Sequence, residues 1–270
     1  MKITTIIVSF NAAKYIDDAI KSFLAQDYEN KELICFDGIS TDKTHDIINQ
    51  YVAKHPDIIK FINHEKDSGI SDARNKALKY ATGDYIGFLG ADDRLCEGIF
   101  TKMYEYKTKI ARLESLDLFY FDSYINIVNM QNMTTTKIRT CNNVKTSNLY
   151  FSLRQMITHI PMAPGEAFYY NKEIFKELTF NVNNKYSMDY EFNLNLLAIK
   201  RHITSIAIDY PGVIMHYSNE TTSGNNTKKQ YINALLIAAK FSIMAKKPHF
   251  LVIIAMKIIY FIARNLFKFK

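Results

Sequence analysis

A chain of 270 residues with 48% hydrophobic content can bury one large or two small cores, which excludes general disorder. Its three cysteines, Cys35, Cys96 and Cys141, are odd in number and lack metal-type spacing, so a disulfide framework or structural zinc site is excluded and a reducing cytosol fits. The net charge of +7 is concentrated at one end: residues 221–270 hold nine basic side chains and no acidic one, and the body is close to neutral. No zinc finger or RNA-binding aromatic motif accompanies that tail, so nucleic acid is not the expected partner and an anionic membrane surface is. The opening MKITTIIVSFNAAKYI is interrupted by Asn11 and lacks a small-residue cleavage site, so it reads as a first strand of a protein that is not exported.

From the N-terminus, element types alternate. Ile3 to Ser9 is a β-branched strand, and Ala12 to Ala25 a helix with Tyr15, Ala19, Ile20, Phe23 and Leu24 on one face. Leu33 to Phe36 is the second strand, Thr44 to Ala53 a helix with Ile47, Ile48, Tyr51 and Val52 inward, and Ile58 to Ile62 the third strand. Ser71 to Tyr80 is the third helix and Tyr85 to Leu89 the fourth strand. This repetition predicts right-handed crossovers and an α/β fold, a Rossmann-like, mainly parallel central sheet flanked by helices.

The loops after such strands share one rim, and polar residues collect there: Ser9 and Asn11, then Asp37, then Asp67, Asp72 and Arg74, then Asp92 and Asp93. Two adjacent carboxylates at a strand's carboxyl end can hold a divalent metal against a diphosphate. Asp92 capping a helix that begins near Leu95 is the alternative. Neither a G-x-x-x-x-G-K-[ST] loop nor a G-x-G-x-x-G turn is present, so the pocket is expected to use side chains and a metal.

Leu118 to Ile127 reads as one or two strands, Ser147 to Ile157 as a helix, and Ala167 to Tyr170 as a strand leading into the helix Lys172 to Leu178. Met188-Asp189-Tyr190-Glu191 heads a helix through Phe192, Leu194, Leu196 and Leu197. After Tyr210-Pro211-Gly212, Val213 to His216 is a strand and Ser218 to Gly224 a mobile loop. From Tyr231 the chain is helical to its end with a break at Pro248. Phe250 to Phe267 is almost wholly apolar, with Lys257, Arg264 and Lys268 along one face, as in a helix lying in a membrane interface. Lys257 near the centre argues against a spanning helix. Packing on the domain or on a second subunit is the alternative.

The segments IIVSFNAAKYIDDAIKSFLAQDY, ELICFDGISTDKTHDII and KDSGISDARNKALKYATGDYIGFLGADD, in this order and spacing, resemble the inverting family 2 glycosyltransferases of the GT-A fold. EAFYYNKEIF and YSMDYEFNLNLL continue the resemblance more thinly. It implies a GT-A catalytic domain over residues 1–224, with a sugar-nucleotide half (1–100) and an acceptor half (101–224), then a basic amphipathic helical tail over 225–270. It also implies a nucleotide-sugar donor, usually a UDP-sugar, and a glycan acceptor. With the tail, this suggests a polyprenyl-linked oligosaccharide extended at the cytoplasmic face of the cell membrane.

Position by position, the resemblance puts Ser9, Asn11 and Asp37 near the nucleotide, Asp37 at its base. It likewise implies Asp72 and Arg74 beside the nucleotide and diphosphate, Asp92 towards ribose or sugar and Asp93 on a divalent cation, Mg²⁺ or Mn²⁺, with His216 expected to approach that metal or the pyrophosphate. Gly90 stands where many relatives carry Asp or Asn, so only one or two protein carboxylates remain for the metal. Pro164-Gly165-Glu166 replaces a frequent His-Gln pair and leaves Glu166 without a role. Asp189 matches the general base, which a single displacement needs because an acceptor hydroxyl is a poor nucleophile at neutral pH. Asp37 as a turn cap, Arg74 as a surface ion pair, Asp189 as a helix-dipole partner and His216 as a structural residue are the alternatives. For the whole chain the rivals are a non-catalytic binding subunit and a sugar-nucleotide pyrophosphorylase.

Overall fold

The computed structural model describes residues 1–63, 65–109, 116–129, 134–139, 165–200, 203–217, 227–244, 246 and 249–267. Strands β1 (Ile3–Ser9), β2 (Lys31–Asp37), β3 (Ile59–Ile62) and β4 (Tyr85–Gly90) lie parallel in the order β3-β2-β1-β4. Helices α1 (Ile16–Leu24), α2 (Thr44–Lys54) and α3 (Ile70–Ala77) make the crossovers. β1 and β4 are apolar on both faces because helices cover both, and Ile3, Ile6, Ile7, Phe88 and Leu89 are buried accordingly. The alternation legible in the sequence is therefore the fold's first half.

The second half mixes strand directions. β5 (Arg94–Leu95) is a two-residue strand and α4 (Ile99–Lys109) follows, so no helix begins at Leu95 for Asp92 to cap. β6 (Leu118–Asn129) is one long strand, paired at its far end with β7 (Thr134–Arg139). β8 (Phe168–Asn171) runs antiparallel to both β4 and β6, and leads into the short α5 (Ile174–Glu177). α6 (Met188–Ile199) and β9 (Ser205–Tyr217) follow, β9 being parallel to β6 and antiparallel to β5. The full order among the described residues is β3-β2-β1-β4-β8-β6-β9-β5, with β7 beside β6.

The expected strand at Val213 to His216 is longer, because β9 passes through Tyr210-Pro211-Gly212. The register against β6 shifts between Phe121 and Ser123, where Pro211 lacks an N–H for the ladder. The Phe121 ring packs on Gly212, where a Cβ would overlap it. The helix expected at Ser147 to Ile157 and the loop at Ser218 to Gly224 lie outside the described residues.

The core continues under the second half as an aromatic cluster. Phe180 stacks on Phe192 at 4.5 Å, and both meet Phe88 or Tyr170 edge-on. At the β4–β8 junction the Tyr169 ring lies against Gly87, where a side chain would collide with it. Tyr169 Oη hydrogen-bonds Thr5 Oγ1 at 2.7 Å, both residues being fully buried.

The tail forms two helices, α7 (Thr227–Met244) and α8 (His249–Phe267). Leu235, Ala238, Phe241, Phe250 and Ile254 are buried. Ser187 Oγ donates to Gln230 O at 2.8 Å, and Asn233 Nδ2 to Asn184 Oδ1 at 2.7 Å. Lys257 shares the inward spacing of Phe250 and Ile254 and is half-buried, which lowers its pKa. The outward stripe of α8 is therefore apolar, at Val252, Met256 and Ile259, and α7 adds Ile232, Leu236 and Ile243. Among the described residues, no helix is long and apolar enough to cross a membrane.

Replacing Tyr169 by Phe strands a buried Thr5 hydroxyl. Urea denaturation should show a loss of about 1–2 kcal/mol with no change in slope.

Candidate active site

A cleft of about 640 Å³ opens at the carboxyl ends of β1 and β4. Ser9, Phe10 and Asn11 line it from the end of β1, residues 67–71 and Arg74 from the start of α3, and residues 90–93 from the turn after β4. Glu166, Met188 and His216 come from the second half of the chain. Asn11 holds a left-handed backbone (φ 51°), which Asn tolerates, and its Oδ1 accepts from Thr41 N at 2.9 Å.

Of the residues singled out from the sequence, Ser9, Asn11, Arg74, Asp92, Asp93 and His216 face this cleft, whereas Asp37, Asp72 and Asp189 are not part of its lining. Asp37 is wholly buried. Its Oδ2 accepts from Ser9 Oγ and Ser40 Oγ at 2.7 Å each, and its Oδ1 meets Ser40 N at 2.6 Å and His45 Nε2 at 2.7 Å. It thus ties the β1 and β2 loops together. Asp72 accepts from Ser68 N at 2.9 Å and pairs with Lys76 at 3.1 Å, closing the first turn of α3.

Asp93 is 4% exposed, and its Oδ1 accepts the backbone N–H of His216 at 2.8 Å. The imidazole of His216 lies against the Tyr15 ring, 5.0 Å between centroids. Burial, followed by the nearby Glu166 and Asp92 charges, pushes Asp93 well above the usual carboxylate range. Burial likewise raises Asp92, opposed by its own backbone N–H and by His216. Gly90 matters here because a Cβ would overlap the Asp93 carboxylate and press on Asp92 Oδ1. A side chain at position 90 would therefore require the Asp93 carboxylate to move.

Two carboxylates crowded in a dry corner next to an imidazole fit a hard divalent cation, since each would be relieved of its neighbour's charge. Among the described residues no three His, Cys, Asp or Glu side chains gather to enclose an ion alone, so such a cation would complete its shell with diphosphate oxygens and water.

Arg74 joins the cleft to Asp189. The guanidinium is buried, 4.8 Å from the Phe88 ring and 5.4 Å from the Phe180 ring. Its Nη1 donates to Asp189 Oδ1 and its Nη2 to Glu166 Oε1 at 3.2 Å. Arg74 is therefore not a surface ion pair. Asp189, in the first turn of α6, also packs on Gly165, where a Cβ would overlap its carboxylate. Glu166, to which the sequence assigns no role, is a further carboxylate of the cleft beside Asp67, Asp92 and Asp93. Burial and then Asp189 raise its pKa to about 7, against the pull of Arg74. The acidic residue behind a Pro-Gly turn was its only sequence signal, and the resemblance offered nothing to match it. Lys185 and Asn184 also line the cleft.

The description "Glycosyl transferase family 2" matches residues 4–179. The chain belongs to that family. It is 39% identical over 104 residues to "Putative teichuronic acid biosynthesis glycosyltransferase TuaG" of Bacillus subtilis, covering 38% of this chain and 41% of that protein. It is 28% identical over 215 residues to the dolichyl N-acetyl-α-D-glucosaminyl phosphate 3-β-D-2,3-diacetamido-2,3-dideoxy-β-D-glucuronosyltransferase of Methanococcus voltae, covering 72% of this chain and 61% of that one. The chain thus spans less than two thirds of either relative. The fold is GT-A: S. aureus TarS 1–349 in complex with UDP superposes with a TM-score of 0.67 at 20% identity, covering all of this chain and 73% of that one. The mannosyltransferase PcManGT of Pyrobaculum calidifontis, in complex with GDP-Man and Mn²⁺, gives 0.61 at 16% identity, covering 94% and 73%.

A carboxyl whose folded pKa is raised binds its proton more tightly in the native state, so Glu166 favours folding at low pH. That contribution is lost as pH rises from its ordinary value of 4.5 to about 7. With metal chelated and no nucleotide present, Glu166→Gln should therefore gain on the wild type between pH 4.5 and pH 8. Denaturation at both pH values should show a relative gain on the order of 2 kcal/mol.

Proposed function

We propose that this protein transfers a sugar from a nucleotide-sugar donor, a UDP-sugar, to a glycan acceptor held at a membrane, inverting the anomeric centre by single displacement. The observation that carries the reading is Asp189, fixed by Arg74 beside a cleft that Asp92 and Asp93 line. Asp189 keeps about a quarter of its side-chain surface open and can take the acceptor hydroxyl's proton as the new bond forms. Asp93, with Asp92, would hold Mg²⁺ or Mn²⁺, which when bound stabilises negative charge on the departing diphosphate. Ser9 and Asn11 at the end of β1 contact the nucleotide, and Asp37 acts on it through the loop it ties down. Inversion needs one base and no nucleophilic carboxylate, consistent with Asp189 being engaged by Arg74 and seated on Gly165.

The likeness to a putative teichuronic acid biosynthesis glycosyltransferase and to a glucuronosyltransferase acting on a dolichyl phosphate sugar supports a cell-surface polymer as the product. The acceptor is a lipid-linked oligosaccharide at the cytoplasmic face. The tail supports this with its outward apolar stripes at Leu236, Ile243, Val252, Met256 and Ile259 and nine basic residues. Such a surface suits shallow attachment to anionic lipid.

Asp189→Asn should lower transfer by about 10²- to 10⁴-fold while UDP binding persists. Undiminished turnover would remove Asp189 as the base, and no transfer or donor hydrolysis by the wild type with any nucleotide sugar would favour a non-catalytic binding subunit. In flotation assays the protein should associate with vesicles containing phosphatidylglycerol and much less with neutral ones. The double substitution Leu236→Asp, Ile259→Asp should abolish that association.

A further inference from the structure

Glu166 lies near both Asp189 and the Asp92–Asp93 pair, close enough for their charges to act on one another. On one side, its neighbour Gly165 is packed against the Asp189 carboxylate, and Arg74 holds Glu166 Oε1 with the arm next to the one on Asp189. On the other, Asp92 and Asp93 line the same cleft from the turn after β4. In a single displacement the acceptor oxygen, the anomeric carbon and the leaving oxygen lie roughly in line. With the base at Asp189 and the diphosphate at Asp92 and Asp93, the sugar ring lies across Glu166.

We propose that Glu166 is a sugar-contact residue whose carboxyl hydrogen-bonds a ring substituent of the donor and sets which sugar is accepted. The proposal rests on the glycosyl-transfer reading above. Two features of the geometry fit a reader better than a plain counter-ion. Glu166 keeps 13% of its side chain open to the cleft, although Arg74 is already paired with Asp189. Arg74 also fixes the rotamer of Glu166, so little side-chain freedom is lost when a ligand binds. Buried polar groups left unpaired by the wrong substrate discriminate far more strongly than apolar walls do.

The test compares binding of UDP, UDP-glucose, UDP-galactose and UDP-GlcNAc with Mn²⁺ for the wild type, Glu166→Gln and Glu166→Ala. The readout is the ratio of the UDP Kd to each UDP-sugar Kd, with UDP alone reporting an intact fold. For the sugar that the wild type prefers, this ratio should fall about fivefold or more in Glu166→Ala, with UDP binding held within about twofold. In Glu166→Gln, which keeps the shape and changes the hydrogen-bonding pattern, the order of preference should change. Unchanged ratios and order in both variants would overturn the proposal and leave Glu166 as a counter-ion to Arg74. Equal loss of UDP and UDP-sugar binding in both variants would overturn it as well. A wild type that binds none of the four ligands would instead overturn the glycosyl-transfer reading, a failure visible before any variant is made.

Discussion

The buried Arg74 guanidinium is the interaction on which the site depends. A charge in that position is tolerable only with partners, and the fold supplies two carboxylates from different elements and two aromatic rings beside its plane. Each partner arrives by a separate route: Asp189 on the first turn of α6, Glu166 on the turn before β8, Phe88 from β4 and Phe180 from the segment before α6. Holding Arg74 therefore registers the two halves of the chain against each other. Removing it would leave two carboxylates facing one another, and breaking a buried pair in this way typically costs about 3–5 kcal/mol.

The sheet explains why residues far apart in sequence meet. Parallel β1 to β4 bring their following loops to one rim, as open α/β sheets do. β8 enters antiparallel beside β4, so the turn before it, carrying Gly165 and Glu166, starts from that same rim. β9 runs parallel to β6 and delivers His216 near its carboxyl end, where its backbone N–H meets Asp93. One reversed strand, β8, and one strand that keeps the direction of β4, β9, thus bring Glu166 and His216 to the rim that the first half opened.

The first half was legible because its pattern is local: β-branched runs, amphipathic helices and polar turns in regular alternation. The rim residues after each strand could be named on that basis, and most of them do face the cleft. Asp37 shows the limit. Its position was readable, but saturation of its oxygens by Ser9, Ser40 and His45 depends on the packing of two loops. The second half was harder because its strands pair across long separations, and a Pro-Gly step inside β9 looks like a strand boundary until β6 is placed beside it. The direction in which Lys257 points was hidden for a related reason. Helical periodicity gave its spacing, but only the packing of Phe250 and Ile254 shows which side faces inward.

The close fit at Gly90 also constrains how the sequence can change. A Cβ here would overlap Asp93 as it now lies, so any side chain at position 90 requires that carboxylate to swing aside. Such a shift would also disturb the bond that Asp93 accepts from the His216 backbone N–H. Positions 90 and 93 are therefore coupled, and a substitution at one is to be judged against the rotamer adopted at the other.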